Sequence, residues 1–347
     1  MSLERKTFAS LFTGGGLADV GAIAAGLEPV WGVEIQPEIA EVARHNLKHK
    51  VRVADLLDCD PSQFERTDVL WASPPCPNFS IAKQGAKETA LDRAIASKVA
   101  EFITVLQPDS FVLENVEAYK SSSSLREIEN TLYTLGYWIS RRVLNAADFG
   151  VPQTRRRLIL RAVKGGMPLE LGRAAKWKSW YSAIEDLLPD LPESKLAEWQ
   201  INSLPFDTLL ISGTERRSPK ALLINRSQTE RRDYWRDSDR PAYTVCAESS
   251  AGRSRALLID GIANGYGKTV TCVDADRPSF TVKTSASKHC IRAVLDSARV
   301  VKINARALGR FQSLPDWYEL PSKEALACRI IGNGVPCDFS EGILLSV

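Results

Sequence analysis

The sequence predicts an α/β protein, with a doubly wound sheet in one domain and a smaller, mostly β or irregular second domain. Short apolar runs at 6–12, 29–33, 51–53, 69–72 and 110–114 alternate with helix-like stretches that include Leu17–Ala25, Pro37–Leu47 and Thr89–Leu106. Two further runs, near 137–144 and 156–163, complete the expected sheet. The turn Thr13-Gly14-Gly15-Gly16 joins the first run to the first helix, the kind of connection with which such sheets hold ligands. From Lys164-Gly165-Gly166-Met167-Pro168, a linker by composition, the alternation is lost up to about residue 318.

Each element of the first domain ends on residues suited to chemistry. Glu34 closes the second run, Val30-Trp31-Gly32-Val33, in the register where nucleotide folds set an acid on ribose hydroxyls. A dinucleotide cradle of the G-x-G-x-x-G type needs glycine at position 19, where Asp19 stands, so a pyrophosphate is disfavoured. A nucleoside needs only close approach to the loop backbone. A glycine loop alone is often just a tight turn; the register of Glu34 favours a cofactor site. The third run, Val51-Arg52-Val53, leads to Asp55, and the fourth, Val69-Leu70-Trp71-Ala72, enters Ser73-Pro74-Pro75-Cys76-Pro77. Prolines fix φ and withhold an N–H, so Cys76 is held in a narrow range of directions. The fifth run ends in Glu114-Asn115-Val116.

A lone cysteine is more often a small buried hydrophobe, and a strand-end carboxylate often caps a helix. Together, at neighbouring strand ends, a thiolate and a proton donor suit covalent chemistry. A thiol of pKa about 8.5 is mostly protonated at neutral pH and needs nearby positive charge. In Gln153-Thr154-Arg155-Arg156-Arg157, Arg155 and Arg157 share a strand face and Arg156 points away. An exposed basic strand edge is the alternative for that segment.

Taken in order, Leu11-Phe12-Thr13-Gly14-Gly15-Gly16, Glu34-Ile35, Asp55-Leu56, Pro74-Pro75-Cys76, Glu114-Asn115-Val116, Gln153 to Arg157, Arg310-Phe311-Gln312-Ser313-Leu314-Pro315-Asp316 and Gly332-Asn333-Gly334-Val335-Pro336 resemble the DNA (cytosine-5) methyltransferases. The resemblance spans almost the whole chain. It implies a Rossmann-like, S-adenosylmethionine-dependent catalytic domain at 1–165 plus 325–347 and a target-recognition domain at 166–324. It also implies methyl transfer to C5 of a flipped-out cytosine in a specific double-stranded DNA sequence. Transfer-RNA cytosine-5 methylation is the alternative within the family.

By that resemblance Cys76 adds to C6, Glu114 protonates or hydrogen-bonds N3, and Arg155 and Arg157 line the active site beside the base. The cofactor residues it implies are Phe12, Gly14, Gly16, Glu34, Ile35, Asp55, Leu56, Pro74, Asn333 and Val335. Phe12 would lie against the adenine, Glu34 would accept from the ribose and Asp55 from the adenine amino group. Leu56 would add an apolar wall, and Asn333 and Val335 would complete the methionine end. This chain departs from the family at Gln36, where many members carry Asp, at Leu17, which replaces a frequent glycine, and at Pro77-Asn78.

Composition fits an intracellular enzyme, and the resemblance implies a cytoplasmic, nucleoid-associated protein acting as a monomer. The 347 residues are 44% hydrophobic and 25% charged, without a long apolar run or a signal-peptide pattern, so no membrane partner is expected. Seven cysteines with no C-x-x-C pair and three histidines predict no metal, and His45 and His49 read as a solvated helix face. The net charge of +3 is modest, so basic groups that meet DNA must be gathered locally. Arg216, Arg217, Lys220, Arg226, Arg231, Arg232 and Arg236 cluster with Tyr234 and Trp235, and Arg253, Arg255, Lys283 and Lys288 are further candidates.

Asp239-Arg240-Pro241-Ala242-Tyr243-Thr244-Val245 is echoed by Asp276-Arg277-Pro278-Ser279-Phe280-Thr281-Val282, which predicts two turn-plus-strand units in the recognition domain. The stretch Asn78 to Asp92 reads as a loop that closes over DNA, and a cognate restriction endonuclease sharing the site is a possible partner. The transfer-RNA branch's Cys-Phe-Thr signature is missing here. Cys76, Glu114 and Arg155 argue against a catalytically silent DNA-binding relative, and Asp19 against a nicotinamide-dependent oxidoreductase.

Overall fold

The computed structural model describes residues 5–75, 88–172, 175–195, 256–264, 267–274, 277–282, 290–295 and 300–347. In the larger sheet β1 (Thr7–Leu11), β2 (Glu28–Glu34), β3 (Lys50–Val53), β4 (Val69–Ala72) and β5 (Ser110–Asn115) run parallel. The antiparallel pair β6 (Tyr137–Asn145) and β7 (Arg156–Lys164) extends it, giving the order β3-β2-β1-β4-β5-β7-β6. The direction of winding reverses between β1 and β4. Ligands of open α/β sheets bind at such a switch point, beyond the carboxyl ends of the strands. Both the glycine turn after β1 and the Pro-Pro-Cys turn after β4 start there.

The period-two alternation of the strands builds a separate core on each face. Ala9, Leu11, Leu70, Ala72, Phe111 and Leu113 turn one way, where they share a core with Val99, Phe102 and Ile103 of α3 (Ala90–Leu106) and Leu125 and Ile128 of α4 (Ser123–Thr134). Their neighbours Phe8, Val69, Trp71 and Val112 turn the other way. There they meet Ala18 and Ala22 of α1 (Leu17–Ala24) and, from the far end of the chain, Phe339 and Ile343 of α8 (Cys337–Leu344).

Local chemistry sets the helix ends. A reciprocal capping box between Thr89 and Asp92 starts α3, and Pro37 occupies the first turn of α2 (Pro37–Leu47), where its missing N–H is harmless. Lys48, at φ 57°, ends α2 in the left-handed conformation. The remaining described helices are α5 (Trp180–Ile184), α6 (Ala305–Phe311) and α7 (Glu324–Asn333). None of the described helices is long and apolar enough to cross a membrane.

The chain divides into two units, the larger comprising Met1–Ile184, Arg277–Lys288 and Asn304–Val347, the smaller Glu185–Asp276 and His289–Ile303. The larger unit thus runs past the Lys164–Pro168 turn and regains the chain at Asn304, before residue 325. Physical causes are visible at both places: buried Trp180 and Ile184 pack beyond the turn, and Leu308 and Phe311 are buried in α6. Within the smaller unit, β8 (Ala256–Asn264), β9 (Gly267–Asp274), β10 (Cys290–Leu295) and β11 (Val300–Lys302) form an antiparallel sheet in the order β11-β10-β8-β9.

The internal echo takes a different course from the expected pair of strands. Its first copy lies outside the described residues. Arg277–Val282 of the second belongs to the larger unit and makes one isolated bridge, Ser279 to Gln153. Pro278 has no N–H to give a ladder, and the polar backbone of Ser279 is satisfied by Pro152 C=O at 2.7 Å and Thr154 N–H at 2.8 Å.

Candidate active site

Leaving β1, the chain turns through Phe12 (φ 62°), Gly14 (φ 57°) and Gly16 (φ 79°), three left-handed residues in five. Such backbone suits glycine; for Phe12 it is a strained conformation, the kind of outlier that clusters at ligand sites. The turn is pinned by Glu34. Gly14 N–H donates to Glu34 Oε2 at 3.0 Å and Gln36 N–H to Oε1 at 2.9 Å, so the carboxylate is fixed by main chain on both sides. A side chain at Gly15 would bring its Cβ within 2.4 Å of Ile330 Cγ2, and one at Gly16 within 2.3 Å of Leu47 Cδ1, whereas nothing lies within 4 Å of that position at Gly14. The loop is therefore packed from behind and open at Gly14.

Around this opening Ile35 is 56% exposed, Phe12 is half-buried, and Asp55 is exposed with Oδ1 accepting from Leu57 N–H at 3.0 Å. Two carboxylates and exposed apolar surface suit a nucleoside and would repel a phosphate. These residues fit the adenosine of S-adenosylmethionine. Leu56 and Val335 are buried at 4% and 3% exposure, one in each of the two cores that flank the sheet. Asn333 is exposed at the end of α7.

Cys76 lies outside the described residues, and the chain is described up to Pro75. The turn leading to it is tied to β5: Asn115 Nδ2 donates to the buried Pro74 carbonyl at 3.2 Å, while Asn115 Oδ1 accepts from Val116 N–H at 2.8 Å. One amide thus joins the ends of β4 and β5. Beside it Glu114 is 6% exposed, and Arg157 Nε lies 3.0 Å from Glu114 Oε1. That contact has ion-pair distance without hydrogen-bond alignment, and Oε1 has no hydrogen-bond partner.

Arg156 points away from its neighbours, while Arg155, which precedes β7, and Arg157, which lies within it, meet different groups. Arg156 is exposed and pairs with Glu117 at 3.2 Å. Arg155 is buried and directed at main chain, with the carbonyls of Val282 and Gly332 both at 3.4 Å. It is Arg157 that the structure sets against Glu114; Arg155 braces the glycine-asparagine-glycine-valine segment. Gln153 is wholly buried, donating to Phe311 C=O and Gln312 Oε1 at 3.1 Å and accepting from Val282 N–H at 3.1 Å. Gln312 Nε2 continues the network to the carbonyl of Ile331 at 2.5 Å. Three motifs far apart in the chain are joined by these two amides.

Several contributors carry no sequence signal. Glu88 accepts from the N–H groups of Ser123 at 3.0 Å and Ser124 at 2.7 Å, and from both serine hydroxyls. Burial works against its charge, but the four donors prevail and draw its pKa down to about 2. Asp19, whose role in the sequence was only to break a glycine pattern, is fully buried; Ser10 Oγ donates to it at 3.0 Å and His49 Nε2 lies 3.3 Å away. The solvated histidine face is thereby corrected. His45 is exposed beside Glu319, but the left-handed Lys48 ends the helix and turns His49 inward. The basic cluster from Arg216 to Arg236, with Arg253, Arg255, Lys283 and Lys288, lies outside the described residues, as does most of the expected loop from Asn78.

The family model for C-5 cytosine-specific DNA methylases matches residues 6–347. Type II methyltransferase M1.HphI of Haemophilus parahaemolyticus is 26% identical over 353 residues, covering 98% of this chain and 86% of that protein. Type II methyltransferase M.Eco47II of Escherichia coli is 27% identical over 352 residues, covering 98% and 78%. Two solved structures, the S. pombe Dnmt2 methyltransferase (TM-score 0.57, 15% identity, 98% of each chain) and the Entamoeba histolytica methyltransferase EhMeth (TM-score 0.59, 14% identity, 98% and 97%), share the fold. The family match runs unbroken from β1 through the glycine loop, Glu114 and the arginines to the last residue, and the chain belongs to the C-5 cytosine-specific DNA methylases as a DNA (cytosine-5) methyltransferase.

Proposed function

We propose that Cys76 and Glu114 carry the chemistry on a cytosine swung out of double-stranded DNA, with Arg157 holding Glu114 in place. C6 of a stacked cytosine is out of reach of a side chain, so the base must leave the helix at a cost of a few kcal/mol. The Cys76 thiolate adds to C6, and a proton or hydrogen bond from Glu114 at N3 drains the developing charge, leaving C5 enamine-like. S-adenosylmethionine, which the family implies, supplies the electrophilic methyl when bound. C5 takes the methyl as the bond to the sulfonium sulfur breaks, leaving S-adenosylhomocysteine; C5 then gives its proton to solvent, and expulsion of the Cys76 thiolate restores the ring.

The observation that carries this reading is the buried Glu114, oriented by Arg157 with Oε1 left without a hydrogen bond, on the strand beside the one that leads into Pro-Pro-Cys. Phe12, Glu34, Ile35 and Asp55 would hold the adenosine, with Gly14 and Gly16 allowing close approach and Asn333 at the far end. The smaller unit is proposed to read the DNA sequence, and a type II restriction partner follows the pattern of the relatives' names. Trapping on a 5-fluorocytosine duplex, followed by peptide mapping, tests the covalent step; an adduct at Cys76 is expected, and none would refute it. Bisulfite sequencing of plasmid from expressing cells identifies the modified context.

A further inference from the structure

Besides Glu34, the glycine loop has a second support that comes from 303 positions away in the chain. Tyr318 Oη donates to the Gly15 carbonyl at 2.6 Å, with the tyrosine 1% exposed. Its ring sits in a cluster with Leu17 and Val20 of α1, Ile39 of α2, Leu314, and Ile330 of α7. Ile330 is also the residue that closes the space behind Gly15. Burial pushes the phenol well above its ordinary pKa, so it remains a donor over the whole working range.

We propose that Tyr318 is a positioning residue for S-adenosylmethionine, acting through the Gly15 carbonyl to hold the loop in its left-handed, cofactor-ready shape. Glu34 holds the loop by the Gly14 N–H and Tyr318 holds it by the Gly15 carbonyl, so neither end of the Gly14–Gly15 unit can rotate without breaking a hydrogen bond. Removing the hydroxyl leaves that carbonyl buried and without its partner. The consequence falls on cofactor binding, because the loop must be re-ordered when the nucleoside arrives.

The inference rests on the cofactor reading above, and calorimetry with S-adenosylmethionine separates the two. Wild type is titrated first; no binding there would overturn the cofactor reading and this proposal with it. Y318F is expected to raise Kd about five-fold or more, the loss of one buried hydrogen bond, with kcat at saturating cofactor within about two-fold of wild type. The matched control is Y137F, because Tyr137 makes the same bond, hydroxyl to the Pro108 carbonyl at 2.5 Å, at the amino end of β5.

Y137F should lower Tm comparably and leave Kd unchanged. Hydrogen exchange without cofactor adds an independent readout: the Gly16 and Leu17 amides should exchange faster in Y318F and not in Y137F. L320A keeps the hydroxyl but loosens the cluster around the ring, and serves if Y318F does not fold; a smaller rise in Kd is expected. Tight wild-type binding with an unchanged Kd in Y318F, in L320A where Y318F is unfolded, or an equal loss in Y137F, would overturn the role of Tyr318 alone.

Discussion

At the scale of single residues, the site divides into groups that react and groups that hold them. C76S should abolish methyl transfer while cofactor binding persists; turnover in that variant would remove the thiol from the mechanism. E114Q keeps the shape of the side chain but loses the acid, and should lower kcat by about 10²–10⁴. A change confined to the cofactor KM would show that Glu114 belongs to the other pocket. Glu88 is a holding group with a pH signature. Its folded pKa of about 2 lies below the ordinary 4.5, so its contribution to stability is complete above about 4.5 and is lost as pH falls toward 2. E88Q should therefore be less stable than wild type at pH 7, and the difference in urea midpoint should shrink as the solution is acidified. A gap that does not depend on pH would mean that shape, not charge, is what Ser123 and Ser124 recognise. Motif order made Glu34, Glu114 and Arg157 legible in the sequence. Glu88, Tyr318 and His49 were not legible, because their partners are main-chain groups or buried side chains that no spacing rule brings together.

At the scale of elements, the tightest constraint lies where α1 meets α8. A Cβ on Gly21 would stand 2.1 Å from Ser340 Oγ, 2.6 Å from the Cys337 carbonyl and 2.8 Å from Glu341 N. Two of those atoms are backbone, so rotating a side chain cannot relieve the contact. Alanine would gain about 1 kcal/mol of helix propensity over glycine, against overpacking of about 1–3 kcal/mol or more where helices must separate. The clash wins, and G21A should lower Tm despite its better helix former. A raised Tm would mean that α8 can yield. The strands of the first half and the helices α1, α2 and α3 were readable to within a residue or two, because alternation and caps are local signals. Arg277–Val282 misled because a turn-plus-strand pattern says nothing about whether a partner strand is available.

At the scale of the molecule, the chain's last segment completes what its first segment begins. Phe339 and Ile343 are fully buried against Phe8, Val69 and Trp71, and Tyr318 and Ile330 back the glycine loop. The closing motif pointed to this return in the sequence, with its start set at residue 325; Asn304–Tyr318, which contains the Arg310–Asp316 motif, joins the larger unit through the packing of α6 and the Tyr318 turn. A chain ending at Ile303 would leave one face of the sheet without α8, exposing several large apolar side chains in a contiguous patch. Burial of each such side chain contributes about 1.5–3 kcal/mol, so losing Phe339 and Ile343 together with their contacts rivals the total stability of a domain of about 5–15 kcal/mol. The truncated chain should aggregate on size-exclusion chromatography and fail to bind S-adenosylmethionine. Supplying 304–347 as a separate polypeptide should restore binding if the segment acts through packing alone. A truncated chain that stays monomeric and binds the cofactor with wild-type affinity would show that neither α8 nor the support behind the loop is needed.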